Sequence, residues 1–283
     1  MSQSIKLGLL GNNIGRSRAK NLHELLGEMH GLDVTYRPMD LLDRQQPVSI
    51  AEELERCRKA GFRGVNVTHP YKRDAFTHVP TMPGFPKGLT SVNTVLFAER
   101  QMVADNTDYT GCCRALRCHY GEAFKPGRVL MLGAGGVGVA IAFALKRLGV
   151  DELVIHDVRA DLAQELVTQM HICQRESRLA GPDMVAEMRQ ADGLINATPI
   201  GMFQYPGNPF PEEGFGRQRW AFDAVYTPQY TRFLQTCGQS GIETLTGFDL
   251  FLYQGLDAFE RFTGYTVDAE TVKRVFLKRF PLE

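Results

Sequence analysis

Two kinds of apolar pattern alternate along the first part of the chain. Short unbroken apolar runs, such as IKLGLL at 5–10, have the length of a buried strand. Longer stretches, such as AKNLHELLGEMHG at 19–31, repeat apolar residues every three or four positions and end at a glycine, as an amphipathic helix does. The elements predicted in this part are strand 5–10, helix 19–31, strand 34–41, helix 49–61 and strand 62–68. This β-α-β-α-β order favours a parallel sheet.

The Pro/Gly-rich stretch at 79–89 predicts a surface loop, and a strand is predicted after it at 91–98. A second series of strands and helices begins near Pro126. The elements predicted in the second series are strand 128–132, turn 133–138, helix 139–149, strand 151–158, helix 161–176 and strands 192–199 and 220–226. A strongly amphipathic stretch at 248–264 forms the tail and is too long to be a linker. The two series predict an α/β protein of two lobes with a cleft between them.

Composition narrows the class of protein. Lys plus Arg equals Asp plus Glu at 32 each, so no basic surplus favours nucleic acid or an anionic membrane as a partner. No segment approaches ~18 unbroken apolar residues, and the N-terminus has no signal-peptide layout. The six cysteines include no CxxC pair and no metal-ligand spacing. We therefore expect a cytoplasmic protein, monomer or homodimer, without metal, nucleic-acid or membrane partners.

The sequence GAGGVG at 133–138 fits G-x-G-x-x-G between a predicted strand and a predicted helix. In that setting it predicts a dinucleotide site. The first glycine permits the tight turn, the second lets a pyrophosphate approach the backbone, and the third packs helix against strand. The candidate cofactor-binding residues of this turn are Gly133, Ala134, Gly135, Gly136, Val137 and Gly138.

Asp157 stands 19 residues after Gly138, at the end of the next predicted strand. A carboxylate there accepts hydrogen bonds from ribose hydroxyls and repels a 2′-phosphate, which predicts NAD as the preferred cofactor. Arg159 could instead turn toward a 2′-phosphate, so NADP stays possible. The alternative role for Asp157 is to cap the following helix, for which Asp161 is the better placed residue.

The stretch GVNVTHPYK at 64–72 places a lysine directly after a buried strand and a proline. We expect Pro70 to begin a helix that aims the Lys72 ammonium into the cleft. Asp108, in NTDYTG, is expected near the switch between the lobes. A lysine beside a carboxylate can take and return the proton of an alcohol that is oxidised by hydride transfer. The alternative is that both side chains are merely solvated.

Eight segments in order over nearly the whole chain resemble the shikimate/quinate dehydrogenase family: GNNIGRSRAKNLHE, GVNVTHPYK, SVNTV, NTDYTG, GAGGVG, NATPIGM, DAVYTPQYT and LYQGLDAFERFTG. The resemblance implies an N-terminal α/β substrate-binding catalytic domain over 1–108 and a Rossmann-type dinucleotide-binding domain over 109–246. It also implies C-terminal helices over 247–283 that return to the substrate domain. The implied reaction interconverts shikimate- or quinate-type hydroxy cyclohexane carboxylates and their 3-dehydro ketones with NAD or NADP.

The resemblance also implies roles for individual residues. Lys72 and Asp108 match the catalytic pair, with Lys72 as the acid–base group. The residues that match substrate contacts are Asn66, Thr68, Asn93 and Gln254 at the ring hydroxyls, Ser17 at the carboxylate, and Tyr226 at its rim. The residues that match the cofactor side are Thr198, Met202, Val225 and Gly247, beside Asp157 and Arg159. Tyr226 could equally be a strand-end aromatic, and Asn106 and Thr107 are better explained as a helix start.

Three positions depart from the family pattern. The residues SRA at 17–19 stand where the family has Ser-x-Ser or Ser-x-Thr, so one hydroxyl for the carboxylate is missing. Such a loss costs ~1.5–3 kcal/mol, roughly ten- to hundredfold in binding, unless Arg16 or Arg18 compensates. HDV at 156–158 replaces the Asn-Arg-Thr of the NADP-using members, and Tyr109 stands where glycine is common.

Three alternatives to a shikimate/quinate dehydrogenase follow from these residues. The first is the same chemistry on a variant ring such as aminoshikimate, which Ala19 would mark. The second is a metabolite-binding homologue without turnover, against which Lys72 and Asp108 argue. The third is a Rossmann dehydrogenase for an unrelated substrate, against which the polar set of the first lobe argues.

Overall fold

The computed structural model describes residues 4–42, 44, 48–98, 101–171 and 176–281. The strands are β1 (Ser4–Gly11), β2 (Asp33–Asp40), β3 (Gly64–Val67), β4 (Thr94–Phe97), β5 (Met102–Asp105), β6 (Arg128–Leu132), β7 (Glu152–His156), β8 (Glu176–Leu179), β9 (Gly193–Asn196), β10 (Trp220–Asp223) and β11 (Glu243–Leu245). The α-helices are α1 (Ala19–Met29), α2 (Ile50–Lys59), α3 (Lys72–His78), α4 (Thr107–Tyr120), α5 (Gly136–Arg147), α6 (Ala160–His171), α7 (Met184–Gln190), α8 (Arg232–Gln239), α9 (Gly247–Thr263) and α10 (Ala269–Arg279).

The chain divides into two compact α/β units, which confirms the predicted fold class. Unit 1 comprises Met1–Phe85, Thr90–Thr107 and Gln254–Pro281. Unit 2 comprises Pro86–Leu89, Asp108–Tyr253 and Leu282–Glu283. The domain boundaries that the sequence suggested, after residues 108 and 246, stay a prediction.

The sheet of unit 1 has the strand order β2-β1-β3-β4-β5. Its first three strands are parallel, as the sequence predicted, but β4 runs antiparallel to both β3 and β5. β4 ends at Phe97 and β5 begins at Met102. So short a connection can join only antiparallel strands, since a parallel pair needs a crossover of a dozen or more residues.

Helix α9 completes the core of unit 1 on the β1 side. Ala258 and Phe262 of this helix belong to a buried cluster with Leu7, Leu9 and Tyr36 of β1 and β2. The Phe262 ring fills the place of a side chain at Gly64, where an added Cβ would lie 2.5 Å from it. The residues after the second series therefore return to pack on the first strands of the chain.

The helix predicted to begin at Pro70 begins instead at Lys72. The preceding residues form a turn in which the Tyr71 N–H donates to the Thr68 carbonyl at 3.0 Å. Because Tyr71 closes this turn and then serves as the N-cap, the Pro-start prediction is wrong by two residues.

The sheet of unit 2 is parallel throughout, in the order β11-β10-β9-β6-β7-β8. Numbered from β6, this is the 3-2-1-4-5-6 order of a Rossmann fold. Strand β8 was missed: the helix predicted over 161–176 ends at His171, residues 172–175 lie outside the described part, and Glu176 is already strand. β8 is an edge strand with only one buried residue, Ser177, so it carries no apolar run.

Several negative findings hold for the described residues. The stretch 79–89 contains no helix or strand, as predicted. None of the five described cysteines forms a disulfide, and Cys173 lies outside the described ranges. No cluster of His, Cys, Asp or Glu in these ranges could hold a metal ion. No helix among the described residues is long and apolar enough to cross a membrane.

Candidate functional site

The carboxyl end of β3 is tied to two loops by main-chain hydrogen bonds. The Val67 N–H donates to the Asn93 carbonyl at 2.8 Å, and the Val92 N–H donates to the Lys72 carbonyl at 3.0 Å. The end of β3, the residues before β4 and the start of α3 are therefore held together within unit 1. Asn66 and Lys72, predicted from one motif, and Asn93, predicted from another, lie in these three segments.

Five buried polar side chains form what we call the amide cluster: Tyr36, Asn66, Asn93, Thr94 and Thr107. Asn66 Nδ2 donates to Thr94 Oγ1 at 3.1 Å, and Asn66 Oδ1 accepts from the Tyr36 hydroxyl at 2.9 Å. Asn93 Oδ1 accepts from the Thr107 backbone N–H at 2.6 Å and from the Thr94 hydroxyl at 3.1 Å. The exposed fractions of Asn66 and Asn93 are 7% and 3%, so these bonds replace water.

The other predicted substrate residues of unit 1 are half-buried. Lys72 is the first residue of α3. The Thr68 N–H donates to the Leu10 carbonyl at 2.9 Å, which extends the β1–β3 pairing by one residue. Ser17 precedes α1, and its hydroxyl oxygen accepts from a backbone N–H at the start of that helix at 3.3 Å. Gln254 lies in α9.

Arg18 is held by the end of the described chain. Its guanidinium donates to the carbonyls of Phe280 and Pro281 at 3.2 and 2.7 Å and lies over the Phe276 ring at 5.7 Å. Arg18 is therefore bound to the segment that follows α10, whereas Arg16 is exposed.

Asp108 is the second residue of α4 and is buried. The helix begins at Thr107, as the helix-start role for that residue predicted. Asn106 precedes it and donates through Nδ2 to the Ser91 carbonyl at 2.9 Å.

The glycine turn of unit 2 has the geometry that its sequence predicts. Gly133 has a φ of +102°, and an added Cβ would lie 2.5 Å from the Ala197 carbonyl oxygen. A Cβ at Gly138 would lie 2.2 Å from the Gly133 oxygen. Gly135, the N-cap of α5, faces open space, with no atom within 4 Å of an added Cβ. Space in front of a helix N-terminus, beside glycine backbone, suits a pyrophosphate, so the chain's residues fit a dinucleotide.

Gly136 and Val137 open helix α5, and the turn before them is held by Asp157. Asp157 Oδ2 accepts from the Ala134 N–H at 2.7 Å, while Oδ1 accepts from the Arg159 N–H at 2.8 Å. The carboxylate is thus held beside the glycine turn at the end of β7.

Arg159 donates to Asp161 at 2.8 Å, and both side chains are about two-thirds exposed. The prediction that Asp161 caps the helix is wrong, because Ala160 is already helical and Asp161 lies inside the first turn.

The loops after β9 and β10 meet at a second buried group. Asn196 Oδ1 accepts from the Thr198 N–H at 3.0 Å, and Asn196 Nδ2 donates to Asp223 Oδ1 at 2.9 Å. Asp223 Oδ1 also accepts from the Val225 N–H at 2.9 Å, and its Oδ2 accepts from the Thr231 hydroxyl at 2.5 Å. Of two predicted cofactor residues, Val225 is thus positioned by the Asp223 carboxylate directly, and Thr198 by the Asn196 amide that this carboxylate binds.

The remaining cofactor-side predictions lie beside these loops. A Cβ at Gly247 would lie 2.4 Å from the Val225 carbonyl oxygen, so α9 can begin here only with a glycine. Met202 is half-buried in the loop after β9. Tyr226, predicted at the carboxylate rim, stacks on Phe251 with ring centroids 5.3 Å apart.

Sequence reasoning missed Asn196, Asp223, Tyr36 and Thr94. A signal existed for the first two, because each ends a buried apolar strand and the two residues are partners in the β9–β10 register. No local signal marks Tyr36, whose hydroxyl partner is 30 residues away.

Comparison with known proteins gives a consistent family. Residues 9–95 match the family model described as the shikimate dehydrogenase substrate binding domain. The chain is 36% identical to a quinate/shikimate dehydrogenase (NAD(+)) from Corynebacterium efficiens, covering 97% of this chain and 98% of that protein. It is 35% identical to a shikimate dehydrogenase (NADP(+)) from Arthrobacter sp., covering 98% and 96%. The solved structure of a quinate dehydrogenase from Corynebacterium glutamicum in complex with NAD superposes with a TM-score of 0.90 at 32% identity, covering 98% of this chain and 100% of that one.

Asp223 predicts a pH dependence of stability. Burial raises the pKa of Asp223 to about 7, although hydrogen bonds from Thr231, Val225 and Asn196 act in the opposite direction. Because this pKa lies above the unfolded value of about 3.9, the native state binds the extra proton. Its contribution to stability is complete below about pH 4 and is lost as the pH rises through about 7.

The variant Asp223→Asn is neutral at every pH, so its melting temperature relative to wild type should rise between pH 5 and 8. Thermal unfolding at four pH values measures this difference. The matched control is Asp161→Asn, whose carboxylate is exposed and whose pKa is lowered by Arg159; its difference from wild type should stay constant over that range. A constant difference for Asp223→Asn would show that this carboxylate is ionised throughout.

Proposed function

The chain belongs to the shikimate/quinate dehydrogenase family, and from that premise we propose that it prefers NAD and oxidises quinate- and shikimate-type ring acids. As a member of this family it is an oxidoreductase that uses a nicotinamide dinucleotide. The observation that carries the proposal is the Asp157 carboxylate, which two backbone N–H groups hold beside the glycine turn.

NAD preference follows from the charge and the remaining lone pairs of Asp157. Each of its oxygens already accepts one backbone N–H, and each keeps a lone pair that can accept from a ribose hydroxyl. The same negative charge repels a 2′-phosphate. Arg159, which could offset that charge, is paired with Asp161. The N–H groups at the start of α5 would bind the pyrophosphate in the space beside Gly135.

We assign ring recognition to the polar side chains of the first motifs. Asn66, Thr68, Asn93 and Gln254 would hydrogen-bond the ring hydroxyls, since amides and hydroxyls both donate and accept. Ser17 and Tyr226 would contact the carboxylate. Two buried amides, Asn66 in β3 and Asn93 directly before β4, support this assignment. The residue before Asn93 is hydrogen-bonded to the carbonyl of Lys72, the first residue of α3.

Lys72 is the proposed acid–base group. The bound dinucleotide supplies the hydride acceptor. Lys72 Nζ takes the hydroxyl proton as the carbinol becomes a ketone, and returns it in the reverse reaction. Asp108 would stabilise the ammonium that forms, because opposite charges favour each other's ionised state.

Purified protein assayed for NADH formation tests the substrate and cofactor together. With NAD, quinate or shikimate should be oxidised with a higher kcat/KM than with NADP. The assay includes aminoshikimate, because Ala19 lacks the second carboxylate-binding hydroxyl. Turnover of aminoshikimate alone would show that the enzyme acts on this variant ring and not on quinate or shikimate. No turnover of any of the three acids, with NAD still bound, would refute the proposed substrate class.

Replacing Lys72 with alanine should lower kcat by ~10²–10⁴-fold, because a positioned acid–base group contributes about that much. The dissociation constant of the ring acid should change by less than roughly tenfold, because the hydroxyl contacts of the amide cluster remain. Steady-state kinetics and calorimetric binding measure the two quantities. Lys59→Ala, on the exposed surface of α2, is the control and should keep wild-type turnover. Undiminished turnover in Lys72→Ala would end the acid–base assignment.

Replacing Asp157 with asparagine should lower the ratio of kcat/KM for NAD to that for NADP by roughly tenfold or more, because the repulsive charge and a charge-assisted hydrogen bond are lost together. The two specificity constants measured side by side give this ratio. Asp151→Asn removes an exposed carboxylate at the opposite end of β7 and should leave the ratio unchanged. An equal ratio in Asp157→Asn and wild type would assign cofactor choice to other contacts.

A further inference from the structure

Tyr36 is a buried tyrosine whose hydroxyl reaches a proposed substrate residue. It lies in β2 with an exposed fraction of 1%. Its hydroxyl donates to Asn66 Oδ1 at 2.9 Å, across the sheet from its own strand. The strand order places β1 between β2 and β3, so this bond spans a whole strand.

The orientations of the Asn66 and Asn93 amides are fixed by neighbouring backbone groups that can only donate or only accept a hydrogen bond. Asn66 Nδ2 lies 3.3 Å from the Asn93 backbone carbonyl, which can only accept, so the nitrogen must face that side. Asn93 Oδ1 lies 2.6 Å from the Thr107 backbone N–H, which can only donate, so the oxygen must face Thr107. Neither amide can be flipped without placing like groups together.

The hydrogen bonds inside the cluster leave one group free on each amide. The two hydrogens of Asn66 Nδ2 are used by Thr94 Oγ1 and the Asn93 carbonyl, while Oδ1 keeps a second lone pair beside the Tyr36 bond. For Asn93 the reverse holds. Its Oδ1 accepts from Thr94 and Thr107, while its Nδ2 donates to no residue in the described ranges. The pair therefore presents one acceptor, on Asn66, and one donor, on Asn93.

The ring of Tyr36 is itself fixed. His23 stacks on it with ring centroids 4.7 Å apart and planes 9° apart. The rings of Phe259 and Phe262 of α9 lie near His23, with ring centroids 6.2 and 6.0 Å from that of His23. Burial lowers the pKa of His23 to about 3, so this ring is uncharged at neutral pH. Glu24, through its carboxylate, also accepts from the Tyr36 backbone N–H at 3.1 Å.

We propose that Tyr36 is a positioning residue that holds the Asn66 amide with its oxygen presented to the substrate, so that Asn66 selects a hydrogen-bond donor on the ring. A hydroxyl or amino substituent meets that requirement, whereas a keto or ether oxygen at the same ring position does not. Asn93 would face an oxygen that accepts. This inference rests on the substrate role proposed above for Asn66 and Asn93.

The variant Tyr36→Phe keeps the stacked ring and removes the hydroxyl. The Asn66 oxygen then loses the hydrogen bond that holds it, while Nδ2 keeps its two acceptors. The oxygen is positioned less well, so KM for the ring acid should rise about tenfold, the effect of one hydrogen bond. The values of kcat and of KM for NAD should stay within about twofold of wild type, because Tyr36 touches neither the acid–base group nor the dinucleotide residues. Tyr120→Phe is the control: its hydroxyl donates to the Ala221 carbonyl in unit 2, and its loss should leave both KM values unchanged. An unaltered KM for the ring acid in Tyr36→Phe would overturn the proposal.

A double-mutant cycle separates positioning from general stabilisation. In an Asn66→Ala background no amide remains to be positioned, so adding Tyr36→Phe should change KM by less than about twofold. A tenfold rise that persists in that background would show that Tyr36 acts independently of Asn66. Thermal unfolding verifies that each variant is folded, and Asn66→Ser replaces Asn66→Ala if the latter does not fold.

A measurement without substrate distinguishes failure of this inference from failure of the proposed function. NMR hydrogen exchange of the Asn66 side-chain NH₂ should be several-fold faster in Tyr36→Phe than in wild type, while exchange of the Thr107 backbone N–H, held by Asn93, stays unchanged. Unchanged exchange at Asn66 would refute the hold of Tyr36 on the amide, whatever the enzyme oxidises. If exchange is faster but the protein oxidises no ring acid, the hydrogen bond from Tyr36 still positions Asn66. Only the proposed substrate class is then refuted.

Discussion

The hydrogen bond from the Thr107 backbone N–H to Asn93 Oδ1 lies where water does not reach, and it belongs to a residue on which three strands and the start of a helix converge. Asn93 uses its main chain as well: its N–H donates to the Asp105 carbonyl and its carbonyl accepts from Val67. One residue thus joins β3, β4, β5 and the start of α4. A buried polar group left without its partner costs about 1–3 kcal/mol. Because several such groups share the cluster, only one arrangement satisfies them all.

In unit 2 a carboxyl group, rather than an amide, joins separate segments of the chain by hydrogen bonds. Asp223 joins the loops after β9 and β10 as Asn93 joins the segments of unit 1, but a carboxylate accepts up to four hydrogen bonds and donates none while ionised. The amide cluster keeps its geometry over the whole pH range in which the protein is folded, since none of its members titrates in that range. The loops around Asp223 are held by a carboxyl group that loses its proton as the pH rises through about 7. The hydrogen bonds around Asp223 therefore depend on pH, and those of the amide cluster do not.

The sequence predicted those features whose cause is local. Apolar runs located most strands, and the glycine turn predicted the φ of Gly133 and the open space at Gly135. Sequence-based prediction failed where a feature depends on contacts between distant residues or on a weak apolar pattern. The start of α3 depends on a turn closed by Tyr71, and β8 has too little apolar surface to stand out.

Among the residues around the candidate site, those that hold their neighbours in place were missed. Thr94, Asn196 and Asp223 lie inside motifs of the sequence, but no motif indicates that they hold loops or amides together, and Tyr36 lies in no motif. The Tyr36 hydroxyl meets Asn66 only because β2 and β3 flank β1. Arg18 lies in a motif, but its partners are carbonyls some 260 residues further along, at Phe280 and Pro281. No spacing rule connects residues that only the folded sheet brings together.

The return of residues 254–281 to unit 1 has a consequence for synthesis on the ribosome. β1, β2 and β3 are made first, but the cluster of Leu7, Leu9 and Tyr36 is complete only with Ala258 and Phe262. The six strands of the unit 2 sheet are made in between, and unit 2 takes its residues up to Tyr253, before Ala258 and Phe262 are made. The first strands of the nascent chain must therefore wait with an uncovered apolar face, the kind of surface that chaperones bind. The order in which the chain is made runs opposite to the order in which its two cores close.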